Sequence, residues 1–248
     1  MKPEKIGIMQ PYFFPYIGYW QLIHAVDVFV VYDDGKMITN GWIHRNRILD
    51  FDGNTPRTIG VPLKKKSVSH TIGEMERAED DRQMKQMVEM IKTRYRRAPH
   101  YEEVMPMLEA LILNEEMNMV RYLTHSLKTI CDYLDIKTRF VMSSTIDKTG
   151  CEGVEDKAER ICKTIGITHY VNPIGGTEFY DKDIWAKRGL TLNFLRRRNT
   201  ISYSQFFDKR SGKAERGNNF VSDLSIIDML MFCSKEEIKK ILDEYDIL

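Results

Sequence analysis

The sequence predicts an α/β protein with a mostly parallel sheet of Rossmann-like type and a helical insertion near residues 72–135. Three observations predict it. Short apolar runs of strand length fall at 5–9, 28–32, 138–142 and 168–172; a helical stretch joins the members of each pair; and the middle third switches to 3.6-residue spacing.

The elements follow in order. Lys5-Ile-Gly-Ile-Met9 and Val28-Phe-Val-Val-Tyr32 read as short buried strands, and Ile17 to Val26 between them is long enough for a short helix. Ile59-Gly-Val-Pro-Leu63 is strand-like. Met84, Met87, Val88, Ile91 and Tyr95 keep helical spacing, as do Met119, Leu123, Leu127, Ile130 and Leu134, so two amphipathic helices with flexible methionine filler are expected. A second βαβ unit spans 138–172: strand Thr138–Met142, a stripe of Val154, Ala158, Ile161 and Ile165, Gly166 as C-cap, and strand Thr168–Asn172. Glu152, Glu155 and Asp156 open that helix, where its dipole favours negative charge. Ser234-Lys-Glu-Glu237 is a capping box for a last helix. One α/β domain over 1–248 accounts for the whole pattern.

Composition bounds the function. Hydrophobic residues are 42% and charged residues 29% of the 248, ordinary globular usage. Gln10, Gln21, His24 and Asp27 interrupt the most apolar region, so no membrane span is expected. Met1-Lys-Pro-Glu-Lys5 lacks an h-region, which favours the cytoplasm. Cys131, Cys151, Cys162 and Cys233 show no paired spacing, which favours reduced thiols over disulfides or a metal knuckle. A formal net charge of +1 disfavours nucleic acid as a partner, and the basic clusters Arg94–Arg97 and Arg196–Arg198 are read as solvated faces.

The candidate site begins where the first strand ends. In open α/β sheets ligands bind beyond the carboxyl ends of strands. There the chain reads Ile8-Met-Gln-Pro-Tyr-Phe-Phe-Pro-Tyr-Ile-Gly-Tyr-Trp20, stiffened by Pro11 and Pro15. It has no G-x-G-x-x-G and no G-K-[ST], so it does not cradle pyrophosphate with its backbone. Phe13, Phe14 and Trp20 are expected in the core. Gln10, Tyr12 and Tyr16 are the candidates to wall a ligand, stacking on a ring and hydrogen-bonding its edge.

Further candidates gather at the same sheet edge. Asp33 and Asp34 end the second strand and could bind Mg²⁺, orient a sugar hydroxyl or act as a base, or form a plain turn with Gly35. In Gly41-Trp-Ile-His-Arg-Asn-Arg-Ile48 the guanidiniums of Arg45 and Arg47 suit phosphate and share one face of a strand, Asn46 points away, and His44 is a candidate acid/base. Lys64 or its neighbours Lys65 and Lys66 could reach a phosphate. Ser143 and Ser144 end the third strand with no histidine to activate them, so hydrogen bonding is their expected role. Gly175 and Gly176 end the fourth, where the backbone can approach a ligand or simply turn. The six histidines show no metal spacing.

Taken together, Ile8–Tyr19, Val31-Tyr-Asp-Asp34, Trp42–Ile48, Arg97–Val104, Tyr170-Val-Asn172, Gly175-Gly176, Tyr203-Ser-Gln205 and Leu224–Asp228 make the chain resemble the WbqC-like protein family over nearly its whole length. The resemblance implies a bacterial gene context of O-antigen and other surface polysaccharides, with a nucleotide-linked sugar as substrate. It further implies transfer of a small acyl or aminoacyl group, from a donor of that kind, to a sugar amine. Mg²⁺ and ATP stay open as cofactors. Two other readings stand beside it. One is an ATP-using nucleotidyltransferase, in which Tyr16-Ile-Gly-Tyr19 occupies the place of an H-x-G-H loop with both imidazoles replaced. The other is a non-catalytic binding or scaffold protein.

Overall fold

The computed structural model describes residues 4–36, 41–50, 55–64, 71–205 and 220–248. In chain order the elements are β1 (Lys5–Met9), α1 (Ile17–Ala25), β2 (Val28–Val31), β3 (Arg45–Leu49), β4 (Pro56–Gly60), α2 (Arg82–Tyr95), α3 (Tyr101–Ile112), α4 (Met119–Tyr133), β5 (Arg139–Met142), α5 (Gly153–Ile165), β6 (His169–Pro173), α6 (Lys182–Lys187), β7 (Thr191–Arg197), α7 (Ile226–Phe232), α8 (Lys235–Leu242) and β8 (Tyr245–Ile247). Six strands form the main sheet in the order β5-β2-β1-β6-β7-β8; β3 and β4 form a separate pair. Every pairing in the main sheet is parallel except β7 with β8.

The α/β class and mostly parallel sheet therefore hold. The second βαβ unit forms too, but its strands are not neighbours: β5 pairs with β2, and β6 with β1. Its crossover steps over two strands. The strand-like run expected at 59–63 lies earlier, at 56–60, paired antiparallel with β3.

Both faces of the sheet are covered, which is why β2 (Val-Phe-Val-Val) is apolar at every position and buried throughout. Alternate residues serve alternate faces. Phe29, Val31 and Val171 join α1, α2–α4, α7 and α8 in one core. Ile6, Ile8, Val28, Val30 and Tyr170 join α5 and α6 in the other. A crossover of fixed hand that reverses direction along the sheet must change face. Passing from β1 to β2 uses α1 on the first face; passing back from β5 to β6 uses α5 on the second.

The helical insertion near 72–135 is three helices. α3 carries Pro106 in its interior, where the ring removes a backbone donor and crowds the preceding turn. Burial of Val104, Met105, Leu108, Leu111 and Ile112 outweighs that penalty. α5 ends at Gly166 with φ of 82°, a left-handed C-cap. Ser234 and Glu237 form the expected capping box on α8. Cys131, Cys151, Cys162 and Cys233 are all free thiols. Among the described residues no helix is long and apolar enough to cross a membrane.

Candidate functional site

The direction of the connections reverses between β1 and β6, so a crevice opens beyond the carboxyl ends of these two strands. A cavity of about 370 Å³ lies there. Ile8, Met9 and Gln10 leave β1 along one edge, and Asn172 and Pro173 leave β6 along the other. Val154, Ala158 and Ile161 of α5 form an apolar wall, and Tyr12, Tyr32, Phe179 and Tyr180 supply aromatic faces. None of the described residues lining it carries a formal charge. Burial pushes the Tyr12, Tyr32 and Tyr180 phenols up, so they serve as neutral hydrogen-bonding groups; Tyr16 adds to the rise at Tyr12 and Asp34 to that at Tyr32.

Gly176 is required sterically. A Cβ there would stand 2.5 Å from Oδ1 of Asn172, whose amide nitrogen donates to the Tyr170 hydroxyl at 2.6 Å. Gly35 plays a similar part, since a Cβ would meet the Tyr32 ring at 2.7 Å.

The loop out of β1 is held by its own carbonyls. Tyr19 Oη donates to the Gln10 carbonyl at 2.8 Å, and Trp20 Nε1 to that of Pro15 at 2.9 Å. Asn46 Nδ2 donates to Phe13 at 3.1 Å and to Phe14 at 2.8 Å, and the Ser225 hydroxyl also donates to Phe14 at 2.8 Å. These bonds hold Phe14 at φ of 41°, an uncommon conformation for a side chain of that size. Phe13, Phe14 and Trp20 are buried in the core, as expected. Gln10 and Tyr12 line the crevice. Tyr16 caps α1, its ring over Gly18, where a Cβ would lie 2.5 Å from it. Burial, then the Asp223 charge, pushes its phenol up.

The other candidates fall into separate groups. Gly175 and Gly176 line the crevice with Gln10 and Tyr12. Asp33, Asp34, Ser143 and Ser144 meet at the ends of β2 and β5, where the Ser144 hydroxyl donates to Asp33 at 2.6 Å. Asp34 stands between Tyr32, which lines the crevice, and Gly35, where a Cβ would lie 3.4 Å from Nε2 of Gln10. That cluster therefore borders the crevice.

His44, Arg45, Asn46 and Arg47 belong to the β3–β4 hairpin, outside the crevice lining. Arg45 and Arg47 do share a face, with both guanidiniums over the half-exposed Trp42 ring at 5.8 and 5.1 Å. Asn46 points inward and is committed to the loop. His44 is buried, and its carbonyl accepts from Val61 N–H. Lys64 is exposed and paired with Glu76 at 3.2 Å and Glu79 at 3.1 Å, which hold its ammonium above the usual lysine value. Lys65 and Lys66 lie outside the described residues.

Of the basic clusters, Arg94 donates through Nε to the Leu49 and Asp50 carbonyls at 3.0 and 3.1 Å, and Arg196 and Arg198 pair with Asp246 at 3.2 and 3.0 Å. Among the described residues no group of three His, Cys, Asp or Glu side chains is gathered as a metal site.

Sequence reasoning did not single out Tyr32, Phe179, Tyr180 or Lys148. Tyr32 was within reach of it, because it follows a strand's carboxyl end as Gln10 does. Phe179 and Tyr180 lie in an aperiodic connection and had no such signal.

No solved structure matches the chain. An uncharacterized protein of Mycobacterium tuberculosis (strain ATCC 25618 / H37Rv) is 25% identical over 228 residues, covering 92% of this chain and 93% of that one. The WbqC-like family pattern matches residues 10–240, a span from the wall of the crevice at Gln10 into α8, so the chain belongs to the WbqC-like protein family.

Proposed function

We propose that the protein is an enzyme of bacterial surface polysaccharide (O-antigen) biosynthesis that binds a nucleotide-linked sugar and transfers a small acyl or aminoacyl group to a sugar amine. One observation carries the reading: a crevice at the strand-order reversal is walled by four aromatic rings and neutral polar groups, and none of the described residues lining it is charged. Such a wall stacks on a pyranose ring and hydrogen-bonds its hydroxyls without demanding a counter-charge. Gln10, Tyr12, Gly175 and Gly176 hold the sugar in this reading, Asp34 at the border receives its amine, and Arg45 and Arg47 meet the diphosphate. The cytoplasm is the proposed location, because a nucleotide-linked sugar is the substrate.

Nucleotidyl transfer is less well supported. The Tyr19 phenol is fully buried, bonded to the Gln10 carbonyl, and pushed far above its ordinary value by burial and by Tyr12. It supplies no cation to a transferring phosphate.

Thermal-shift measurements against UDP-, dTDP- and GDP-linked sugars, with and without an amine, and against ATP test the proposal. Stabilisation of about 2.7 kcal/mol is expected at a ligand concentration 100 times Kd. Tyr12→Phe weakens binding about three- to tenfold by removing one neutral hydrogen bond. Mass spectrometry of the product with acyl and aminoacyl donors identifies the transferred group. Absence of any shift across the panel overturns the reading.

A further inference from the structure

The ends of β2 and β5 carry a charge arrangement that the crevice itself lacks. Asp33 is fully engaged: Oδ1 accepts from the Ser144 N–H at 2.8 Å and Oδ2 from the Ser144 hydroxyl at 2.6 Å. Asp34 is not. Its Oδ2 faces the Lys148 ammonium at 2.9 Å, while its Oδ1 is buried without a hydrogen-bond partner. The Lys148 side chain is only 8% exposed. Its ammonium also donates to the main-chain carbonyls of Ser143 and, at 2.8 Å, Ile146. A lysine ammonium has three donors, and all three are used. Lys148 is thus a fixed positive charge held by the turn that follows β5.

From this geometry we infer that Lys148 is the built-in counter-ion of Asp34. It takes the charge-neutralising place that a divalent cation would take at this pair of carboxylates. Mg²⁺ requires a near-octahedral oxygen shell at about 2.0–2.1 Å. To supply one, Asp33 would have to release Ser144 and Asp34 would have to share an edge with an ammonium, where like charges repel. Lys148 balances Asp34 with neither cost, and this counter-ion role does not depend on the function proposed above.

Mn²⁺ titration of the full chain, followed by electron paramagnetic resonance, tests this without any substrate. The proteins are the wild type, Lys148→Arg, Lys148→Met, Lys148→Met/Asp34→Asn and Asp34→Asn, with circular dichroism to confirm folding. Wild type and Lys148→Arg are expected to bind Mn²⁺ no tighter than about 1 mM. Lys148→Met gains at least about tenfold in affinity, and the added Asp34→Asn removes the gain. A micromolar wild-type site that Asp34→Asn abolishes overturns the inference. So does a folded Lys148→Met with no gain. Should Lys148→Met not fold, the wild-type titration with its Asp34→Asn control decides alone, presence of that site overturning the inference and its absence sustaining it. Failure of the transfer reading shows differently, as no response to any nucleotide-linked sugar with the Mn²⁺ results unchanged.

Discussion

At the residue scale the most constrained group outside the crevice is Asp228, at 0% exposure. Tyr95 Oη donates to its Oδ1 at 2.8 Å, and Tyr203 Oη and Gln205 Nε2 donate to Oδ2 at 2.8 and 3.0 Å. Burial raises its carboxyl above the ordinary range, opposed by those three donors. The folded chain therefore holds this proton more tightly than the unfolded chain. The linked stability is complete below the unfolded value of about 3.9 and is lost as pH rises through the raised one. Urea unfolding at pH 4.5 and 7.5 should show the wild type's advantage over Asp228→Asn shrinking at the higher pH. Asp228→Ala removes the acceptor shared by Tyr95, Tyr203 and Gln205, of which Gln205 Nε2 keeps the Val221 carbonyl, and should cost on the order of 3 kcal/mol by the same measurement. Tyr203, Gln205 and Asp228 stood out in the sequence as part of a resemblance, but their meeting was illegible there: 133 positions separate Tyr95 from Asp228. Lys148 was hidden for a related reason, since nothing in its local sequence tells a buried counter-ion from a surface lysine.

At the element scale the loop between β1 and α1 shows how a stiff ligand wall is made. Prolines restrict it locally, but its conformation depends on donors from three other elements: Trp20 in α1, Asn46 in β3 and Ser225 at the start of α7. Asn46 and Ser225 both donate to the Phe14 carbonyl. Each single change to alanine leaves that carbonyl one donor, and the double change leaves it neither. A double-mutant cycle by urea unfolding should therefore give a coupling of about 0.5–3 kcal/mol, with the double mutant worse than the sum. Additive effects would show that the two donors act independently. The same element shows what periodicity can and cannot reveal. The alternation of Arg45, Asn46 and Arg47 was readable from a period of two, whereas the partner of Asn46 was not. α3 lies within the expected helical insertion but was not resolved there as an element of its own; Pro106 argues against a helix locally, and the packing of its apolar face decides otherwise.

At the scale of the whole molecule, a net charge of +1 provides no strong long-range field, and none of the described residues lining the crevice is charged. Binding of the uncharged part of a ligand should then change little with salt. Isothermal titration with a methyl glycoside of the sugar found in the screen should give a Kd constant within about twofold between 50 and 500 mM NaCl. The matching nucleotide-linked sugar should bind more weakly at high salt if Arg45 and Arg47 hold its diphosphate. The amino-acid sequence by itself determined the α/β class, the four strands β1, β2, β5 and β6, the helices α1, α2, α4, α5 and α8, and one edge of the crevice at Gln10 and Tyr12. Apolar period, caps and proline restriction act within a few residues, so they can be read along the chain. The tertiary structure alone decided that β5 crosses two strands to reach the far side of β1, that Tyr32, Phe179 and Tyr180 close the wall, and that Lys148 meets Asp34. Those outcomes depend on which distant segments pack together, and Asp33 finds Ser144 across 111 positions because the sheet order sets their strand ends side by side.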